Sequence, residues 1–160
     1  PANQSLRAVW VRLFGGEPGI AYPVSAVMVA VLATYACHRL VSAGEDLAAV
    51  TVLAAGSLLI SPISWTHHWV WVAPALVVLA CRGQRACIVV VCLLMFLPPM
   101  WAVTSDPLRL SLPEQVLTST YVLVGAAYLV WMTWMVQLRA PATPSLRSSA
   151  DTHLTGASRR

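Results

Sequence analysis

The sequence predicts an all-α integral membrane protein with about five transmembrane helices and one short interfacial helix. Of its 160 residues, 58% are hydrophobic and only 10% are charged, whereas about a quarter of the residues of a soluble domain are charged. The mean hydropathy is +0.72, and the apolar residues form runs of helix-spanning length between polar turns. The net charge of +4 comes from residues scattered near the ends of these runs. No nucleic-acid partner is therefore predicted.

The first element is predicted to be an amphipathic helix over residues 3–14. Its apolar residues recur at helical spacing and lie on one face: Leu6, Val9, Trp10, Leu13 and Phe14. Asn3 is the predicted N-cap, and the glycine-rich residues 15–19 end the helix. An apolar face that contains Trp and is flanked by Arg7 and Arg12 is typical of a helix lying in the membrane interface.

Five apolar segments follow, and each is a predicted membrane span. Their approximate ranges are 21–37, 47–63, 69–81, 86–103 and 116–136. The third is short against the roughly 20 residues that a spanning helix needs. Either its helix begins within the preceding motif or that motif dips into the bilayer. Residues 1–136 thus form a predicted membrane domain, and the polar residues 137–160 form a predicted disordered tail.

Arginine placement predicts the orientation of the spans in the plasma membrane. With the tail in the cytoplasm, the cytoplasmic side carries Arg39, Arg82, Arg85, Arg139, Arg147, Arg159 and Arg160. The outer side then carries Arg7, Arg12 and Arg109. This bias agrees with the positive-inside rule. We therefore expect the interfacial helix, the turn after the second span and the loop after the fourth span to face the outside, and any chemistry to be extracytoplasmic.

The most informative stretch lies between the second and third spans: Ser61-Pro62-Ile63-Ser64-Trp65-Thr66-His67-His68-Trp69. Irregular backbone at membrane depth is tolerated only where protein or a watery cavity covers it, and ionisable side chains there indicate a site. On a helix, His67 and His68 point about 100° apart and do not easily serve one site. Either one lies at the headgroups and one packs between helices, or an imidazole shuttles a proton or donates to a phosphate or sugar oxygen.

The remaining polar residues leave alternatives open. Arg7 and Arg12 are either solvated flanks of the interfacial helix or ligands of a phosphate, which Arg binds through two hydrogen bonds. Pro62 and the Pro98-Pro99 pair predict kinks near the outer face, which together open a cavity there. Two neighbouring His residues without a third ligand do not predict a metal site, and the cysteines form no metal or disulfide pattern. No metal and no cofactor are predicted.

Two of these motifs resemble the C-terminal half of glycosyltransferase family 87. The first is Asn3-Gln4-Ser5-Leu6-Arg7 before the amphipathic stretch, and the second is the 61–69 motif about sixty residues later. Members of that family are polyprenol-phosphate-mannose-dependent α-(1→2)-mannosyltransferases with a C-type glycosyltransferase fold. The resemblance covers roughly residues 1–136. It implies that this chain is the C-terminal part of such a fold.

The resemblance also implies an activity and a site. The enzyme would take a hexosyl residue, mannosyl in that family, from a polyprenol-phosphate-sugar donor and pass it with inversion to a lipid-linked glycan acceptor on the outer face. His67 or His68 would be catalytic, in contact with the donor phosphate or sugar. The implied substrate-binding residues are Asn3, Gln4, Arg7, Ser61, Trp65 and Trp69. The general base, an Asp in the family's first outer loop, would lie upstream of Pro1, so this chain alone is expected to lack it.

Other interpretations of the sequence remain. Trp65 and Trp69 are equally expected as anchors in the membrane-interface belt. A non-catalytic truncated paralogue or membrane partner is indicated by the missing upstream carboxylate. A transporter fragment is indicated by kinked helices beside a polar cavity, although no internal repeat and no mid-span ionisable residue supports it.

Overall fold

The computed structural model describes residues 3–97, 99–103, 106 and 108–138. The helices in this part of the chain are α1 (Leu6–Phe14), α2 (Ala21–Ser42), α3 (Asp46–Ile60), α4 (Val72–Cys81), α5 (Arg85–Phe96), α6 (Leu112–Thr118) and α7 (Thr120–Leu138). Two 3₁₀ helices, Thr66–Trp71 and Pro99–Ala102, precede α4 and follow α5. The described residues contain no β-strand, and an isolated bridge pairs Asn3 with Trp65.

The prediction of an all-helical protein is confirmed for these residues, and their apolar helices agree with a membrane protein. Three helices are long and apolar enough to cross a membrane by length and composition: Ala21–Ser42, Arg85–Ala102 and Thr120–Leu138. Asp46–Ile60 and Thr66–Cys81 are apolar but shorter, so the number of five spans stays a prediction. The helix of the third predicted span begins at Thr66, inside the motif, rather than at residue 69. The predicted tail lies outside the described residues beyond Leu138.

Helix α1 begins at Leu6 because Ser5, and not Asn3 as predicted, is its N-cap. The Ser5 hydroxyl accepts a hydrogen bond from the Ala8 amide at 3.3 Å, which satisfies one of the free donors at a helix start. At the other end, Gly15 adopts a left-handed conformation with φ of 66° and donates its N–H to the Val11 carbonyl. Trp10 then ties α1 to α2 through a 2.9 Å hydrogen bond from its indole to the Ser25 hydroxyl.

Helices α2 and α3 form a tight antiparallel pair because small residues line their contact. A Cβ added at Gly56 would lie 2.6 Å from the Cβ of Ala33, so the two backbones approach as closely as small side chains allow. Helix α7 packs against this pair. The most buried large side chains of the shared core are Leu40, Leu59, Met100, Leu129 and Met132.

The helix bundle has two chemically different ends. At one, which we call the motif end, residues 3–5 meet residues 61–69, the Met100 turn and the junction between α6 and α7. At the other, the opposite end, the α2–α3 turn meets the end of α4 through an ion pair between Glu45 and Arg82. The Arg82 guanidinium also lies 5.9 Å from the ring centre of Trp131 in α7. All of the sequence-predicted site residues lie toward the motif end.

Candidate functional site

The two sequence motifs form one hydrogen-bonded unit at the motif end. The Asn3 side chain donates to the Pro62 carbonyl at 3.1 Å and accepts from the Ser64 amide at 2.9 Å. The Gln4 amide donates to the Ser64 carbonyl at 2.6 Å, which completes the bridge between the two segments. A single Asn side chain therefore satisfies both a backbone donor and a backbone acceptor of an irregular turn, in place of the partners that a regular helix would supply.

This turn exists because α3 cannot continue past Ile60. The residue before a proline is pushed out of the α region, and Ser61 is extended with ψ of 136°. The carbonyls freed by the helix end are taken up by hydroxyls: Ser64 donates to the Leu58 carbonyl at 2.6 Å, and Ser5 to the Pro62 carbonyl at 3.2 Å. Ser61 bonds within the turn, to the Ile63 carbonyl at 2.8 Å. Serine side chains thus replace the missing helical partners.

The turn presents both histidines at the surface. The ring centroids of His67 and His68 are 4.3 Å apart in an edge-on arrangement at 69°, and both residues are exposed. The sequence-based expectation that neighbouring imidazoles diverge was wrong here, because rotation of the two side chains brings their rings together although successive helical residues leave the backbone in different directions. The Trp65 amide donates to Nδ1 of His68 at 3.2 Å. The neutral His68 ring therefore carries its proton on Nε2, which is a hydrogen-bond donor.

The two tryptophans of the motif lie in different environments. Trp65 is 47% exposed beside the histidines, whereas Trp69 is 5% exposed inside the bundle. The Trp69 ring packs edge-on against Tyr121 at 5.9 Å between centroids and against Gly125. Its indole N–H has no hydrogen-bond partner among the described residues. An anchoring role in the interface belt therefore does not fit Trp69.

A buried polar cluster lies beneath residues 61–69, which we call the histidine turn. Gln4 is fully buried, and its side-chain amide donates to the Thr118 carbonyl at 2.8 Å and to the Met100 sulfur at 3.0 Å. Arg12 is also buried, and it donates to the Asn3 carbonyl at 3.2 Å and to the Ser119 hydroxyl at 3.0 Å. Burial lowers the pKa of Arg12 to about 10, so the side chain remains a cation at neutral pH.

Arg7 and Arg12 thus differ in burial and in their contacts, although both flank the apolar face of α1 in the sequence. Arg7 is half-buried, and its side chain forms no hydrogen bond or ion pair with the described residues. Arg12 turns inward, and Gln115 donates to its backbone carbonyl at 3.0 Å. Among the described residues, no group of three or more His, Cys, Asp or Glu side chains lies close enough to hold a metal ion.

Helix α6 and its junction with α7 contribute residues to this end of the bundle that the sequence motifs do not include. Three of these residues form hydrogen bonds with the amino-terminal part of the chain. Thr118 accepts from Gln4, Ser119 accepts from Arg12, and Gln115 donates to Arg12. A signal for them exists in the sequence, because they are polar residues three and four positions apart at the start of an apolar run. That spacing places them on one helix face. Their partners, more than a hundred residues away along the chain, cannot be identified from spacing alone.

An apolar cavity of about 700 Å³ extends from the motif end into the bundle between α3, α4, α5 and α7. Trp69 and Pro99 line it at the motif end, and Trp131 lines it toward the opposite end. The wall hydroxyls of Thr51 and Tyr128 are paired with each other at 2.7 Å. Because the residues that line it are mostly apolar, the cavity suits hydrocarbon rather than a polar ligand.

The chain is similar in sequence to mycobacterial mannosyltransferases. It is 36% identical over 85 residues to a polyprenol-phosphate-mannose-dependent alpha-(1-2)-phosphatidylinositol mannoside mannosyltransferase of Mycobacterium tuberculosis, covering 52% of this chain and 20% of the relative. A pentamannoside mannosyltransferase of Mycolicibacterium smegmatis with the same donor dependence is 37% identical over 92 residues, covering 52% and 22%. A pentamannoside mannosyltransferase of Mycobacterium tuberculosis, again dependent on polyprenol-phosphate-mannose, is 40% identical over 80 residues. That match covers 47% of this chain and 18% of the relative.

These similarities concern part of each protein. The chain spans about a fifth of the length of the curated relatives it matches. No family model matches the chain, and no solved structure matches it. The names of the relatives describe hexosyl transfer from a polyprenol-phosphate donor. They agree with the class of enzyme that the sequence motifs resemble.

Proposed function

We propose that this chain forms part of a membrane glycosyltransferase that transfers a mannosyl residue from a polyprenol-phosphate sugar to a lipid-linked glycan acceptor. The observation that carries the proposal is that the two segments bearing the family resemblance, residues 3–7 and 61–69, are joined by hydrogen bonds and present a pair of imidazoles. The donor named for the similar mannosyltransferases supports the donor proposed here, and their phosphatidylinositol mannoside acceptors support a lipid-linked acceptor.

In the proposed reaction, an acceptor hydroxyl oxygen forms a bond to the anomeric carbon of the sugar as the bond from that carbon to the phosphate oxygen breaks. The bonding electrons stay on the polyprenyl phosphate, and the hydroxyl proton passes to a general base. That base is proposed to lie upstream of Pro1. The barrier then depends on groups that stabilise the negative charge developing on the phosphate.

His67 and His68 are the proposed catalytic groups that stabilise this charge. His68 suits the role because the Trp65 amide occupies its Nδ1, which leaves an Nε2–H to donate to a phosphate oxygen. The His67 ring lies against it at 4.3 Å, so both imidazoles can face one ligand. Arg7 is proposed to bind the same phosphate from the start of α1, since a guanidinium pairs with two phosphate oxygens at once.

The other proposed binding residues contact the substrates at two places, the exposed surface of the histidine turn and the apolar cavity. Asn3 and Ser61 are proposed to line the substrate side of the histidine turn. Gln4 is fully buried beneath that turn, so its predicted contact with substrate does not fit, and we propose that it supports the turn from below. Trp65, which is half-exposed, is proposed to stack on a sugar face. Trp69 lines the apolar cavity and is proposed to cover the prenyl chain of the donor, whose burial in an apolar groove is favourable.

We propose further that the motif end faces the outside of the plasma membrane and the opposite end faces the cytoplasm. Three arginines belong to the opposite end: Arg39 in the last turn of α2, Arg82 directly after α4 and Arg85 at the start of α5. Cationic residues next to spans favour the cytoplasmic side. The tail that follows α7 is then proposed to be cytoplasmic.

The test is a transfer assay on the native protein in its own membranes, with polyprenol-phosphate mannose and a phosphatidylinositol mannoside acceptor. We expect one of the two changes, His67→Ala or His68→Ala, to lower transfer by about 10²-fold, the usual loss for one charge-stabilising donor. His38→Ala is the matched control, because His38 is an exposed histidine near the carboxyl end of α2. If both motif variants retain full activity, the assignment of the site is wrong.

A further inference from the structure

Arg12 is a buried cation that no carboxylate neutralises. Its residue exposure is 6%, and within the described residues it takes part in no ion pair. An uncompensated buried charge is costly, so its surroundings must supply negative potential in another form. Arg12 lies in the last turn of α1, and its guanidinium donates to the Asn3 carbonyl and the Ser119 hydroxyl. Helix carboxyl termini carry partial negative charge, which stabilises a cation placed there.

The Arg12 side chain links two parts of the bundle that are far apart in sequence. One terminal nitrogen donates to the Asn3 carbonyl at 3.2 Å, and the other donates to the Ser119 hydroxyl at 3.0 Å. Gln115 secures the same residue from the α6 side by donating to its backbone carbonyl at 3.0 Å. A planar guanidinium can hold two acceptors in fixed directions, which a single ammonium group does less well.

From Asn3 the hydrogen bonds continue to the histidines. The Asn3 side chain holds the Pro62 carbonyl and the Ser64 amide at 3.1 and 2.9 Å. The next residue after Ser64 is Trp65, whose amide donates to Nδ1 of His68 at 3.2 Å. Every link between the guanidinium and the imidazole is therefore a hydrogen bond or a covalent neighbour. Moving Arg12 shifts the backbone on which the His68 ring is oriented.

We propose that Arg12 is a positioning residue for His67 and His68, which acts through Asn3 and ties the histidine turn to the junction of α6 and α7. This inference rests on the proposed function for its catalytic consequence, although the structural coupling is independent of any activity. Arg12 itself contacts neither histidine. Its removal is expected to leave substrate affinity largely intact and to lower the rate of the chemical step, because misplaced donors act on the transition state.

The first experiment measures backbone hydrogen exchange by mass spectrometry on the purified native protein in micelles. Arg12→Gln should speed exchange about five- to tenfold in peptides covering residues 61–69, as the loss of a hydrogen bond would. Peptides from α2 and α3 should be unchanged. Arg85→Gln, an exposed Arg at the opposite end, is the matched control and should leave all of these peptides unchanged.

Two results overturn the proposal. One is unchanged exchange in residues 61–69. The other is faster exchange confined to α1 and α6, which means that Arg12 stabilises only its own contacts. If Arg12→Gln does not fold, Arg12→Lys keeps the charge and carries the test. It should show a smaller increase in the same 61–69 peptides, and no increase there contradicts the coupling.

The second experiment measures transfer kinetics and separates this proposal from the proposed function. Arg12→Gln should lower kcat about tenfold with the donor KM within twofold. If the native protein shows no transfer at all, the proposed function fails while the exchange pattern still tests the coupling. If transfer occurs and Arg12→Gln raises only KM, the positioning role is wrong although the proposed function stands.

Discussion

Gly125 in α7 is the position where one added methyl group tests the placement of the histidine turn. A Cβ at residue 125 would lie 2.6 and 2.8 Å from two carbons of the six-membered ring of Trp69. Real Cβ atoms do not come that close to a ring, so the ring must move away from α7. Trp69 directly follows His68 in the chain, and its displacement is transmitted to the 3₁₀ helix that carries both histidines.

The net effect of Gly125→Ala is the difference between two terms. Inserting a methyl group into a packed core costs about 1–3 kcal/mol, and contact with a rigid ring places this change in the upper part of that range. Replacing glycine by alanine inside a helix returns about 1 kcal/mol. We therefore expect a net loss of about 1–2 kcal/mol in the free energy of unfolding. For a chain of this length, that corresponds to a fall of roughly 2–8 °C in Tm.

The assay is a thermal scan in micelles, with a double-mutant cycle that isolates the contact. In the Trp69→Phe background, the phenyl ring at position 69 is smaller than an indole and can move away from α7. Gly125→Ala should then be neutral, or should raise Tm because alanine favours the helix. Gly16→Ala is the control, because a Cβ there meets no atom within 4 Å. An equal loss of stability in the native background and in the Trp69→Phe background would refute the proposed contact.

Two further predictions concern the rest of the bundle. Gly56→Ala should destabilise the protein by about 1–3 kcal/mol, because the new Cβ would lie 2.6 Å from the Cβ of Ala33. The double change Gly56→Ala/Ala33→Gly should restore Tm. If it does not, the α2–α3 contact is contradicted. Glu45→Gln leaves Arg82, whose side chain is 10% exposed, without its carboxylate. The loss in unfolding free energy should fall between the ~1 kcal/mol of a surface pair and the ~3–5 kcal/mol of a buried pair. In the same thermal scans, the exposed Glu17→Gln should have no effect, and equal Tm values for the two Gln variants would contradict the pairing.

The sequence predicts the elements of this fold better than their ends. Helical periodicity predicts α1 correctly, because the apolar residues that define its face are local. Its start was misplaced because both Asn3 and Ser5 are good N-cap residues. The choice between them is made by the Ser64 amide and the Pro62 carbonyl, which engage the Asn3 side chain from about sixty residues away. Local pattern carries no information about such a competitor.

The candidate site was predictable as two motifs but not as one unit. Residues 61–69 stand out because a polar, proline-containing stretch interrupts apolar runs, and the resemblance associates them with residues 3–7. The inward turn of Arg12 was not predictable, because the residue flanks an amphipathic face in the same way as Arg7 does. Its partner Ser119 is 107 positions away. The meeting of the two imidazoles depends on ring rotation in a 3₁₀ helix, which residue spacing does not specify.

The most direct test of the central claim is product formation by membranes from cells in which the native gene is deleted and then restored. Restoring the native protein should restore transfer of labelled mannose from polyprenol-phosphate mannose to a phosphatidylinositol mannoside acceptor. Restoring the His67→Ala/His68→Ala double variant at equal abundance should leave transfer at least about 10²-fold lower. Equal product from the two restored strains, or no change on deletion, would contradict the proposed function.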